Sequence, residues 1–537
     1  MTGGSAGAAT AASEPAAVME RRRFTSVRRR FTGRFTVPLI PAVAALVISF
    51  LGISGPSFWL DEAATLSMAR RDLPDFTRAV TEHLDLVHAG YYLVMRQWLE
   101  IFGYTELGAR SLSALAACVA AAGITALGRR CASTWVGLVA GLVYAGNVTV
   151  TRYAQEARPY ALATAMGVVA TYVLVRAVQS PRWWWTWLAA HAVAMVLVGV
   201  LNLFALLLAA AHLLMLAGGF LSRVTRMRVF VGWCVSSLIT GLVLYPFVTK
   251  AQSQKHQVAS IPYPTSEDVW RLVEFLSGHE SLIWVSLAAS GLGLLAGLRR
   301  AGWVRRERDV PAAEGLPAPT LSALAAPWLL LPPVILLTVS VATPLYRHRY
   351  MVVCLPALAL LMAAGLVWTA RLWRPLPLAG LAAFAVLVVP PQFKIREADE
   401  RWDDLRTPAA VLKRHAHSGD AVLFLTPAMR WRSAGYPDAY RGLDDVMLAQ
   451  TPAQAGNLVG ADTQLEVMKR RLCLKQRVWV FWDLAGKTPP PAWVQARLRF
   501  VGYAGAFLPS GEWRFKRGKL TLMTRSMDAG PTKGCRS

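Results

Sequence analysis

Long apolar runs separated by short polar connections dominate the chain between Val37 and Val389. A run of roughly 20 apolar residues crosses the hydrocarbon core of a bilayer as a helix. By that rule about eleven spans are expected, at residues 37–54, 109–127, 132–150, 160–178, 183–200, 202–220, 229–247, 281–298, 323–341, 350–368 and 376–389. The fifth and sixth meet in a tight turn at Leu201-Asn202, and the last is short and flanked by prolines. From Gln392 the pattern changes. A helix is expected over 405–415 and buried strands over 421–425 and 477–482. A hairpin is expected from 499–507 and 513–523, around Pro509-Ser510-Gly511. The expected architecture is an α-helical polytopic membrane protein in three parts. Residues 1–36 are expected to form a disordered basic N-terminus, 37–391 a transmembrane domain and 392–537 a small α/β domain.

The connections set the orientation. Alternate ones carry Arg129-Arg130, Arg176 with Arg182, Arg223 with Arg226 and Arg228, the run from Arg299 to Arg308, and Arg371 with Arg374. Short cytoplasmic loops collect Lys and Arg. The N-terminus is therefore expected in the cytoplasm and the C-terminal domain outside, in a multi-pass plasma-membrane protein. The chain has 537 residues, 55% of them hydrophobic, and a formal net charge of +25. Because the charge sits beside apolar spans, it reads as loop orientation and headgroup attraction, not nucleic-acid binding. The six cysteines show no metal-ligand spacing. Cys118, Cys234 and Cys354 fall in apolar runs and read as packing. Cys473 and Cys535, both in the outer domain, are either a disulfide or two thiols.

The first outer loop, 55–108, is long. It holds two amphipathic stretches, near 62–71 and 91–102, the second with Tyr92, Leu93, Trp98, Leu99 and Phe102 as its apolar face. The loop also carries the acidic pair Asp61-Glu62. A carboxylate at a membrane surface can take the proton of an attacking hydroxyl; Asp61 can equally cap a helix. Farther along are Glu82, His83, Asp85 and His88. Asp85 and His88 suit a hydrogen-bonded pair, part of a divalent-cation site, or a solvated face.

Between the third and fourth spans lies Arg152-Tyr153-Ala154-Gln155-Glu156-Ala157-Arg158-Pro159-Tyr160. Charged groups at the edge of a bilayer are costly unless they line a site. Guanidinium is a planar, bidentate phosphate ligand, so Arg158, with Arg152 beside it, is a candidate for holding a lipid phosphate. Glu156 would orient one of them. The alternative is an interfacial anchor. Arg347, His348 and Arg349 stand at an outer span end against the positive-inside bias, which suggests headgroup or phosphate contact. Lys250, with Lys255 and His256, is a weaker candidate of the same kind. His212, inside an apolar run, reads as a buried hydrogen-bonding residue, and Trp183-Trp184-Trp185 as an interfacial belt.

These clusters resemble the glycosyltransferase C superfamily, in the branch similar to dolichyl-phosphate-mannose protein mannosyltransferases and bacterial aminoarabinose transferases. The resemblance rests on Phe58-Trp59-Leu60-Asp61-Glu62-Ala63 and the stretch from Asp85 to Tyr92, which lacks the family's prolines. It also rests on the stretch from Gly103 to Ser113, on Gln155-Glu156-Ala157-Arg158-Pro159-Tyr160, and on Arg349-Tyr350 with Pro356. It covers roughly residues 37–391 and is strongest towards actinobacterial members with a C-terminal outer domain. It implies a helix bundle with interfacial helices in the first outer loop, and an inverting transfer from a polyprenyl-monophosphate sugar, mannose first, to a cell-envelope acceptor. Asp61 and Glu62 would be the catalytic pair, Asp61 as the base and Glu62 with His88 positioning the acceptor or base, and Asp85 and Glu156 would stand around the acceptor. Arg158, Arg347, Arg349, Arg152, His348 and Lys250 would serve the lipid phosphate. No cofactor is implied beyond an optional divalent cation. A flippase would instead need charges deep within several spans, and the mid-span regions here are nearly free of them. A non-catalytic scaffold would be indifferent to loss of Asp61.

Overall fold

The computed structural model describes residues 36–83, 86–253, 261–299, 319–483, 492–503 and 507–526. Among these, 9 helices are long and apolar enough to cross a membrane, and the bent pair Thr134–Gly146 with Val148–Ala154 makes up to 10. The shorter apolar helix Thr36–Phe50 occupies the position of the first expected span. Every expected span thus has a helical counterpart, and the chain is a multi-pass membrane protein.

Two asparagines shape the bundle. Asn147 interrupts the third span, which bends by 63°. Its side chain accepts from the Thr149 and Val150 amides, starting a new helix at Val148, as good N-caps do. Its amide also donates to the Leu276 carbonyl, 2.9 Å away. The bend ends the third span as a separate short helix that carries Arg152. Asn202 turns the chain between the fifth span, Trp184–Leu201, and the sixth by accepting from the Phe204 amide. Deeper in the bundle, His212 contacts Thr171 Oγ1 at 3.0 Å and His191 at 3.3 Å. That is the expected buried hydrogen-bonding role.

The first long loop holds the helices Leu60–Ala69 and Ala89–Phe102, close to the two expected stretches. The inward face of the second differs from expectation. Tyr91, Tyr92, Met95 and Leu99 are buried, whereas Leu93 and Phe102 are exposed. Tyr91, Met95 and Leu99 follow an exact four-residue spacing, which stacks side chains on one helix face. Leu93, Val94, Ile101 and Phe102 lie on the other side.

The C-terminal domain contains β1 (Ala421–Phe424), β2 (Asp444–Asp445), β3 (Leu448–Gln450), β4 (Ala461–Asp462), β5 (Arg477–Asp483), β6 (Phe507–Phe515) and β7 (Gly518–Arg525). One sheet has the order β2-β1-β5-β7-β6, and β3 pairs with β4. β1 is parallel to β2 and β5, while β7 is antiparallel to β5 and β6. Ala421, Leu423, Val478 and Val480 pack with Met468 and Leu472 on one face. Val422, Phe424, Trp479 and Phe481 pack with Leu412 on the other. Both central strands are therefore covered on both faces, as parallel strands require. The expected hairpin needs correction. Residues 492–503 are helical, and the turn lies at Lys516-Arg517, with Arg517 at φ 64°. Pro509-Ser510-Gly511 is a register shift inside β6. Proline is tolerated there because β6 is an edge strand and the ladder is already broken. Cys473 is disulfide-bonded; Cys535 lies outside the described residues. Cys118, Cys234 and Cys354 are free thiols.

Candidate active site

Three distant segments converge at one end of the bundle. The helix Leu60–Ala69 starts after an extended Trp59 with no side-chain cap, and Asp61 and Glu62 lie in its first turn. Asp61 is therefore not the cap. It still profits from the positive end of the helix dipole. The second segment is the turn 155–159, and the third is the 3-10 turn His348–Cys354, which opens the tenth span.

Successive helical residues point about 100° apart, so the two carboxylates face different surroundings. Asp61 Oδ2 is 2.7 Å from Arg349 Nη1 and 3.9 Å from Arg158 Nη2. Arg158 also donates to the Asp61 carbonyl at 3.2 Å. The Asp61 side chain keeps 21% of its surface and that of Arg349 30%, so the pair is open on one side. Arg349 Nε is buried without a hydrogen-bond partner.

Glu62 is sealed. Arg110 grips it bidentately, with Nε to Oε1 and Nη2 to Oε2 both at 2.8 Å. The Ala157 amide donates to Oε1 at 2.9 Å. The remaining Arg110 donors go to the carbonyls of Ile53, Pro56 and Ser57. Both side chains are wholly buried. This departs from the expectation that Glu62 is catalytic: its oxygens are occupied and no surface is left for a hydroxyl. It joins the loop helix to the 155–159 turn instead.

Glu156 lies in that turn, 3% exposed. Arg401 binds its Oε1 at 2.7 Å, and Arg152 Nε is 4.0 Å away. Burial pushes the Glu156 carboxyl up, against the pull of Arg401 and Arg152. Arg152 turns outward, towards Glu400 at 3.8 Å, not towards Asp61. His88 is buried, its ring 6.4 Å from that of Tyr160. His348 packs on Phe275 at 4.9 Å. Arg347, half-buried, makes no ion pair among the described residues. Lys250 is exposed in the last turn of Met227–Ser253, and no contact brings it to Asp61. Asp85, Lys255 and His256 lie outside the described residues. Among the described residues, no group of three or more His, Cys, Asp or Glu side chains is placed to hold a metal ion.

Two arginines stand outside the clusters that the sequence marks as candidates. Arg110 carried a usable signal: a charge just inside an apolar run is costly and must have a partner. Arg401 carried none, since it sits in a charged stretch that resembles a solvated linker.

Residues 90–249 match the family model described as dolichyl-phosphate-mannose-protein mannosyltransferase. The chain is similar in fold to the crystal structure of ArnT from Cupriavidus metallidurans in the apo state. The TM-score is 0.58 at 12% identity, covering 90% of this chain and 97% of that one. The same protein bound to undecaprenyl phosphate matches with a TM-score of 0.56 at 14% identity, over 90% and 97% of the two chains. No curated protein matches by sequence. The chain therefore shares the membrane-helix fold of these structures, with a small strand-containing C-terminal domain.

Proposed function

We propose that the protein moves a sugar from a polyprenyl-monophosphate donor to a cell-envelope glycan, lipid or protein acceptor, at the outer face and with inversion. The observation that carries this reading is the convergence on Asp61 of two arginines, 97 and 288 residues away in sequence. The acceptor oxygen attacks the anomeric carbon as the bond to the phosphate oxygen breaks. Asp61 takes the hydroxyl proton. The phosphate leaves with the electron pair, and Arg158 and Arg349 stabilise its added charge. A single displacement inverts the anomeric centre. Glu62 and Glu156 act as fixed anchors of the loops that bear Asp61 and Arg158.

Mannose is the first sugar to test, because the matching family is described by a mannose donor. ArnT bound to undecaprenyl phosphate supports a polyprenyl phosphate as the lipid. The test is purified protein with radiolabelled polyprenyl-phosphate-mannose and, separately, polyprenyl-phosphate-arabinose. Transfer to an envelope extract that fails with Asp61→Asn is expected. Absence of transfer from both donors overturns the reading. The outer placement of the C-terminal domain rests on the basic inner connections. A C-terminal reporter active only in the cytoplasm would overturn it.

A further inference from the structure

The segment that leaves the last span does more than connect two domains. Arg396 donates to the carbonyls of Ile48 and Leu51. Arg406 binds Glu106 at 2.8 Å and donates to the carbonyls of Ser54, Gly55 and Pro56. Asp403 is buried against Arg432 of the C-terminal domain at 3.1 Å. Within this lacing Arg401 is 2% exposed and faces the site. Its donors reach Glu156 Oε1 at 2.7 Å, the Gln155 carbonyl at 2.8 Å and the Arg152 carbonyl at 3.5 Å.

The residues it holds form a turn between two helices, where backbone groups lack helical partners and must find others. Other attachments of the turn come from different elements. The Gln155 side chain donates to the Ser49 and Leu51 carbonyls. The Glu156 carbonyl accepts from Ser113, and the Ala157 amide donates to Glu62. Arg401 reaches the turn from beyond the last span, and Arg158 follows three residues after the Gln155 carbonyl that it grips. We infer that Arg401 is a positioning residue for the transfer reaction: it fixes the 155–158 turn so that Arg158 meets Asp61. The inference rests on the proposed function, and it makes the start of the C-terminal domain part of the machinery.

The full chain carrying Arg401→Gln, Arg401→Lys, Glu156→Gln or the pair Arg401→Gln with Glu156→Gln tests it. The double variant leaves no uncompensated buried charge, so it covers the case in which Arg401→Gln alone does not fold, and wild type replaces Glu156→Gln as the reference where that single variant does not fold. Two measurements apply: deuterium uptake over residues 152–160 against that of β1 and β5, and kcat and KM for the polyprenyl-phosphate sugar. The double variant is expected to exchange at least about tenfold faster over 152–160 than Glu156→Gln, with both strands unchanged. Its donor KM should rise, and kcat/KM should fall about tenfold or more below that of Glu156→Gln. Arg401→Lys should recover part of both. If the double variant equals Glu156→Gln in exchange and in kinetics, Arg401 only balances the Glu156 charge, and the inference fails. Altered kinetics with unchanged exchange also overturns it. If the wild-type chain transfers nothing while the turn still loosens, the functional reading falls and the structural role of Arg401 stands.

Discussion

Asp61 and Glu62 are neighbours in the chain and opposites in setting. Glu62 is sealed by Arg110 with no exposed surface. Asp61 meets Arg349 at 2.7 Å with a fifth of its side chain still open. Breaking a buried pair leaves a charge stranded in low dielectric, whereas an open pair can exchange its partner for a ligand. Burial, not residue type, thus divides the acidic pair into a sealed anchor and an open carboxylate.

The largest effect is expected from Asp61→Asn. Asparagine keeps the size and can still accept from Arg349. Turnover should fall about 10²- to 10⁴-fold, while yield and melting temperature stay near native. Transfer assays beside thermal unfolding in detergent check this. Near-native turnover would move the base elsewhere.

Glu62→Gln should do the reverse. It leaves Arg110 fully buried without a counter-charge, which costs about 3–5 kcal/mol. The expected result is low yield and early unfolding before any kinetic effect can be read. A stable Glu62→Gln protein with a specific loss of turnover would return Glu62 to the chemistry.

This division was only partly legible in the sequence. The spans were, because apolar runs of membrane length have few alternatives. Their ends were clearest where an asparagine cap or a basic loop marks them. The convergence of Asp61, Arg158 and Arg349 was legible as a shared side of the membrane. What separates Asp61 from Glu62 was not, since adjacent carboxylates read alike until a helix turns them apart. The Pro509-Gly511 pair marked a bulge where a turn was expected, because either use suits residues that disrupt a ladder. Arg401 was invisible for a different reason. Its partners lie 245 residues away, and no local pattern encodes so long a contact.

A smaller effect is expected on the open side of the acidic pair. Arg158→Lys keeps the charge near Asp61 but loses the planar fork. A loss of about 1.5–3 kcal/mol in transition-state binding is expected, read from kcat/KM for the donor, as for hydrogen bonds to charged groups. Folding should be unaffected. If lysine serves equally well, Arg158 is an interfacial anchor and Arg349 alone answers the phosphate.

The smallest effect tests whether burial is the right variable. Arg271 and Glu267 form an ion pair at 2.7 Å on the helix Ser266–Ser277, about as short as the Glu62–Arg110 contact, but with 60% and 73% of the side chains exposed. Water screens both charges, and each side chain loses entropy to hold the geometry, so an i,i+4 pair of this kind contributes about 0.3–0.5 kcal/mol. Arg271→Ala should therefore leave the melting temperature almost unmoved, with transfer intact. If it destabilised the protein as much as Glu62→Gln, distance alone would rank these ion pairs. The contrast between Asp61 and Glu62 would then need a cause other than exposure.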